Sequence, residues 1–235
     1  GANVSAFSIG KAVGRGGSVP KSWQYSGTSF DIASQDSNPR GITWDGTYFW
    51  VAGDGSDYVY KYNSSGTYIS RFQVGSSVSD ITFDGTYLWI IKMSNKAYKY
   101  NTSGVYQGVF LNFGAILSSS QGITFDGTHL SLVGQNTDAV YKFTTTGTYT
   151  GVNFSVASED IIPQGITWDG TYFWVIGKST DSVYQYTSAG SYTGLNFSVV
   201  AQEYNPTGIT WDGTDFWIVG SGTDKAYKYS LLPTP

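Results

Sequence analysis

The sequence predicts an all-β protein, a five-bladed β-propeller of four-stranded blades, and three observations carry that prediction. The string GITWDGTYFWV stands at Gly41 to Val51 and again, letter for letter, at Gly165 to Val175. Near copies begin at Asp80, Gly122 and Gly208, so the motif's isoleucine falls at Ile42, Ile81, Ile123, Ile166 and Ile209, in steps of 39, 42, 43 and 43 residues. Aromatic residues make up 17% of the 235-residue chain and charged residues 13%, with 30 Gly. That mix suits pleated strands joined by tight turns, and the helical period of 3.6 residues is absent. Repeats of roughly 40 to 45 residues with four strands each are propeller blades.

The fourth copy shows the elements in order. Gly165 to Trp168 is a first strand, Asp169-Gly170 a hairpin turn expected to be of type I′, and Tyr172 to Ile176 a second strand. A polar loop, Gly177 to Asp181, leads to a third strand at Val183 to Tyr186. After a turn at Thr187 to Gly190, the fourth strand runs from Tyr192 to Val199, and a loop with Pro206 and Gly208 opens the next unit. The last unit has only three strands before Ser230, while Trp23 to Arg40 matches the end of a unit. Ser29 to Ser34 is therefore expected to complete the final blade, which removes the open sheet edges of an unclosed array. Residues 1–22 are read as an N-terminal arm and 23–235 as a single propeller.

Composition narrows the function classes. Thirteen Lys and Arg against 17 Asp and Glu, with no basic block, argue against nucleic acid as a partner. No Cys and one His leave no thiolate chemistry and no multi-histidine metal site, so neither a metal nor a cofactor is expected. No apolar run reaches the roughly 20 residues of a spanning helix, and no membrane insertion is expected.

The unit, with Pro-x-Gly-Ile, an aspartate-glycine turn and a short aromatic strand, resembles the blades of NHL and YVTN-type propellers. The phrases SQDSNPRGITWDGTYFWVAG and VYKYNSSGTY are also similar to repeats of marine phage tail-fibre and structural proteins. The third unit departs from the pattern with His129 and Ser131, and the second lacks the Asn-Pro loop. The resemblance implies a displayed module of a virion or an extracellular surface.

Each group of residues has a plain reading beside a functional one. The turn aspartates Asp45, Asp84, Asp126, Asp169 and Asp212 are what a hairpin turn asks for. The recurring Trp and Phe positions fill gaps between blades, with sugar stacking as the sharper alternative. His129 and Ser131 lack an oriented base and a nucleophile elbow, and read as a drifted blade. Asp57, Asn95, Asp138, Asp181 and Asp224 stand just before each third strand, where a short polar side chain fixes a loop or meets a ligand. With Tyr58 and Tyr204 they are the candidate ligand-binding residues. The inner strands offer Ile, Thr and aromatics rather than converging acids and bases, so no catalytic residue and no enzyme activity are expected. The function expected is a non-catalytic recognition or decoration module, contacting glycans, a host surface component or neighbouring virion proteins. A secreted lectin-like propeller and a protein scaffold are the alternatives, and the propeller is expected to be monomeric within a larger assembly.

Overall fold

The structure, a computed structural model, describes residues 20–234; the arm expected over residues 1–22 lies outside the described residues as far as residue 19. It is a five-bladed all-β propeller of four-stranded antiparallel sheets. Blade 1 comprises β2 (Pro39–Trp44), β3 (Tyr48–Gly53), β4 (Tyr58–Asn63) and β5 (Tyr68–Gln73). Blade 2 comprises β6 (Val78–Phe83), β7 (Leu88–Lys92), β8 (Lys96–Tyr100) and β9 (Tyr106–Asn112). Blade 3 is built from β10 (Ser120–Phe125), β11 (His129–Gly134), β12 (Ala139–Thr144) and β13 (Tyr149–Ser155). Blade 4 has β14 (Pro163–Trp168), β15 (Tyr172–Gly177), β16 (Ser182–Thr187) and β17 (Tyr192–Ser198). Blade 5 takes β18 (Pro206–Trp211), β19 (Phe216–Gly220) and β20 (Lys225–Pro233) from the end of the chain and β1 (Lys21–Asp31) from its beginning.

The closing strand is longer than the sequence predicts and starts at Lys21 rather than Ser29. Because β20 continues past Ser230, it offers partners to the added residues, with Lys21 opposite Pro233 and Trp23 opposite Leu231. Trp23 then lies edge-on to Trp174 and Trp211, at 6.0 and 5.8 Å between ring centroids, and pins the closure against blade 4. Residues after Asp31 leave the sheet, with the N–H groups of Gln35 and Asp36 both donating to the carbonyl of Ile32.

The five first strands form the inner ring, each packed on the next from β2 round to β18 and back. Their approach is close enough to require glycine. A Cβ on Gly208 would lie 2.9 Å from the Cα of Gly41, and one on Gly165 would lie 3.0 Å from the Cα of Gly208. Blade 2 breaks the pattern with Asp80, whose buried carboxyl accepts the Ile123 N–H at 2.8 Å on the neighbouring inner strand. Burial pushes the Asp80 carboxyl well above the usual carboxylate range, against the pull of the Ile123 and Ile81 N–H groups.

The Asp-Gly turn differs from the predicted type I′. Only its glycine takes a positive φ, 98° at Gly170, and Asp169 does not. The reason is the aspartate side chain, whose Oδ1 accepts the N–H groups of Thr171 and Tyr172 at 2.8 and 2.7 Å and closes a wider loop itself. Its Oδ2 accepts the indole N–H of Trp174 at 2.6 Å. The same pairing joins Asp45 to Trp50, Asp84 to Trp89 and Asp212 to Trp217, each at 2.7 Å. These four indoles are buried, and they fill the gaps between blades as the sequence predicts.

Blade 3 has Ser131 at that position, and its cross-strand neighbour Lys142 turns inward instead, with Nζ 2.9 Å from Asp126 Oδ2. Burial pushes the Asp126 carboxyl up, but the Lys142 bond and the N–H groups of His129 and Thr128 outweigh it and hold the group below its usual range. Replacing Asp169 with Ala is expected to cost roughly 2 to 4 kcal/mol, because it strands a buried indole N–H and two turn N–H groups. Urea unfolding of the variant checks this, and a cost under about 0.5 kcal/mol would show that the lock is not structural.

Candidate functional site

Every inner strand carries a bulge at the same place. In blade 1, Pro39 pairs with Gly53 and Gly41 with Ala52, which leaves Arg40 outside the ladder. The same slip isolates Ser79, Gln121, Gln164 and Thr207 in the other blades. A bulge bends its strand and re-aims one side chain, and here it does so at the axis, where five strands begin. The two small residues turn sideways. Ser79 Oγ donates to the Ser120 carbonyl at 3.1 Å and Thr207 Oγ1 to that of Pro39 at 2.9 Å.

The three long residues, Arg40, Gln121 and Gln164, line a funnel of about 340 Å³ together with Met93, Gln135, Ile162 and Lys178. Met93, Gln135 and Lys178 are held there because their backbone N–H groups donate to the carbonyls of Ser77, Ser119 and Ile162 in the loops entering each blade. The funnel joins three carboxamides, an ammonium and a guanidinium. Arg40 is paired with Asp54 at 3.5 Å, yet its Nε is buried with no acceptor among the described residues. Such a site can present several donors at once to a carboxylate or an amide carbonyl.

Buried carboxylates stiffen the rim. Asp36 Oδ1 accepts the N–H of Asn38 at 2.7 Å and Oδ2 accepts the Ser56 hydroxyl. Asp160 accepts from Ile162 and from both donors of Thr180, and Glu203 accepts from Asn205, Gly222 and Thr223. Each ties the loop entering a blade to the loop between that blade's second and third strands. Blade 3 does the same job with buried Leu117, which packs against Gly134.

The predicted ligand residues surround the funnel rather than line it. Asp57, Asn95, Asp138, Asp181 and Asp224 all adopt positive φ, between 45° and 65°, where Asp and Asn are the preferred non-glycine residues. Asn95 Oδ1 accepts the Ser120 N–H, which opens the next inner strand, at 2.8 Å. The residue in Ser120's place is proline for three other blades, Pro163, Pro206 and Pro39, which have no N–H to offer. Accordingly, Oδ1 of Asp138, Asp181 and Asp224 is buried without a partner among the described residues. Tyr58 opens β4 under the Arg71 guanidinium, 4.4 Å from its ring centroid, and Tyr204 is 64% exposed. Sequence reasoning missed Gln121, Gln164 and Met93, although the varying residue between Pro and Gly of Pro-x-Gly-Ile was a visible signal.

No protein family's sequence profile matches the chain, and no characterised protein matches it by sequence. Solved structures do resemble it. The crystal structure of Myxococcus xanthus glutaminyl cyclase superimposes with a TM-score of 0.74 at 10% identity, over 92% of this chain and 99% of that one. A catalytically inactive virginiamycin B lyase from Staphylococcus aureus, with quinupristin, gives 0.53 at 21% identity over 84% and 68% of the two chains. Selenomethionine-substituted virginiamycin B lyase from the same organism gives 0.53 at 16% identity, over 90% and 100%.

At these identities the likeness shows the fold alone. It also overturns the argument for expecting no enzyme activity, since these solved propellers of the same fold are a glutaminyl cyclase and virginiamycin B lyases, and the fold therefore does not count against catalysis. The physical reason for the error is local. The sequence argument weighed the regular residues of the inner strands and overlooked the bulged ones, which are those that reach the axis.

The orphaned carboxyl oxygens carry a stability prediction. Burial raises the Asp224 carboxyl, and the charges of Glu203, Asp36 and Asp31 raise it further. A raised folded value means that the favourable contribution is complete below the unfolded value of about 4 and is lost as the pH rises through the folded one. Asp224→Asn, the residue blade 2 already uses, is therefore expected to raise Tm by a few degrees at pH 7, with the gap to wild type closing near pH 4. Thermal melts at both pH values check this, and a gap that widens on acidification would reject it.

Proposed function

We propose that the protein binds a small molecule or peptide end carrying a carboxylate or carboxamide in the axial funnel, with Arg40, Gln121, Gln135, Gln164 and Lys178 as its contacts. The observation that carries this reading is the set of bulged residues. The five blades repeat their strands closely, yet the one position per blade released from the ladder varies, being Arg, Ser, Gln, Gln and Thr in turn, and delivers Arg40, Gln121 and Gln164 to one cavity. A cavity of about 340 Å³ suits a ligand of one or two residues. Arg40 would donate through Nε and its fork, Lys178 as a mobile cation from the rim, and the glutamines on either side as donors or acceptors.

The glutaminyl cyclase among the similar propellers makes a glutaminyl ligand the first to test. The wider reading, a protein displayed on a virion or an extracellular surface and recognising a glycan or surface component, rests on the repeat's resemblance to phage structural proteins. In that setting the predicted ring of Asp57, Asn95, Asp138, Asp181 and Asp224, with Tyr58 and Tyr204, would form the outer contact zone around the funnel.

Calorimetric titration with short peptides, those with an N-terminal glutamine among them, is expected to give saturable binding that Arg40→Ala and Gln164→Ala each weaken at least about tenfold, a loss near 1.4 kcal/mol. Ammonia release in the same samples reads out turnover. Binding that survives both substitutions would place the ligand elsewhere.

A further inference from the structure

The Asp-Gly turns lie at the opposite end of the inner strands from the bulges, so they form the other face of the disc. On that face one blade interface is unlike the rest. The motif's eighth residue is Tyr48, Tyr87, His129 or Tyr172 in blades 1 to 4, but Asp215 in blade 5. In blades 1 and 2 that tyrosine ring is capped by a lysine, with Lys61 Nζ at 3.7 Å from the Tyr48 centroid and Lys99 Nζ at 3.9 Å from that of Tyr87. In blade 5 the ring is gone, and the matching lysine, Lys228, meets Asp215 Oδ2 at 2.8 Å. The space left is a cleft of about 390 Å³ between blades 5 and 1. Its aromatic walls are Trp44, Phe49 and Trp217, its polar groups Asp215, Lys228 and Ser64.

We propose that this cleft is a second binding site, for a pyranose sugar. Trp44 is half-buried and offers the ring open to the C–H face of a sugar; buried Phe49 backs it with centroids 4.5 Å apart, and buried Trp217 lies 4.8 Å behind Phe49, so the stacking ring is held in place. A pyranose also needs acceptors and donors side by side for its hydroxyls, and a carboxylate beside an ammonium supplies both. Asp212 cannot be that carboxylate, because its oxygens are taken by the N–H groups of Thr214 and Asp215 and by the Trp217 indole. Asp215 can. Its side chain belongs to no turn, and it lines the cleft that a tyrosine would fill beside Lys228, with 10% of its own side chain and 29% of the lysine's exposed. This site rests on its own observation and is separate from the funnel.

Tryptophan fluorescence titration with the methyl glycosides of glucose, galactose, mannose and N-acetylglucosamine tests it. At least one glycoside is expected to give a saturable shift that is tenfold or more weaker in Asp215→Tyr, which restores the residue of blades 1, 2 and 4. Lys228→Gln, which copies Gln185 of blade 4, is expected to weaken it as well and decides the matter if Asp215→Tyr fails to fold. No saturable shift with any of the four glycosides, or equal affinity in the folded variants, would overturn the proposal.

Discussion

The bond from the turn aspartate to the indole five residues on, made in four of the five blades, is the interaction from which the rest of the molecule follows. One carboxylate closes the first hairpin through two backbone N–H groups and satisfies the buried Trp N–H that would otherwise stand unpaired between two blades. Local and tertiary structure are thereby joined in a single residue. A hairpin that formed with the wrong turn would misplace the ring on which the neighbouring blade packs, and a misplaced ring would strand a buried donor. Coupling of this kind makes the folded unit all-or-none, which a repeat protein needs when each unit buries its apolar face only against its neighbours.

With the turn end of each blade locked, the other end is free to differ. In three blades proline and glycine frame the single bulged residue, and in all five the ladder on both sides holds whatever side chain is there. Buried carboxylates at Asp36, Asp160 and Glu203 brace the loops around it, so a funnel assembled from four blades is rigid although only Gln121 and Gln164 in it repeat one another. The cost falls on the ring of left-handed aspartates. Where proline opens the next inner strand, their buried Oδ1 atoms find no donor among the described residues, and blade 2 shows the relieved arrangement with Asn95 and Ser120.

Blade number, strand order and closure were legible in the sequence, because an exact repeat with an Asp-Gly turn leaves few alternative topologies. Interblade packing of Trp50, Trp89, Trp174 and Trp217 was legible for the same reason. The turn type was not, since Asp-Gly pairs serve both the type I′ turn and the side-chain-closed turn found here, and only the tryptophan's need for an acceptor separates them. The candidate site was legible only in outline. Asp57, Asn95, Asp138, Asp181 and Asp224 stand on the same face as the funnel, but the residues of the funnel itself hide inside the inner strands. Strict alternation assigns Arg40 and Gln164 to a face of the sheet, and only the register slip shows that they belong to neither.

In a repeat this regular, chemistry is to be sought where one blade declines the common residue. Ser131 in place of tryptophan is answered at once by Lys142, which takes over the bond to Asp126 and keeps the turn closed. That departure is compensated and leaves the lock intact. Asp215 in place of tyrosine is answered only in part, because Lys228 meets the new charge but cannot refill the volume of the ring. An uncompensated loss of packing at a blade interface destabilises the fold unless something else occupies the space. The cleft between blades 5 and 1 is that unfilled volume, and the sugar proposed for it would occupy the place of the missing ring.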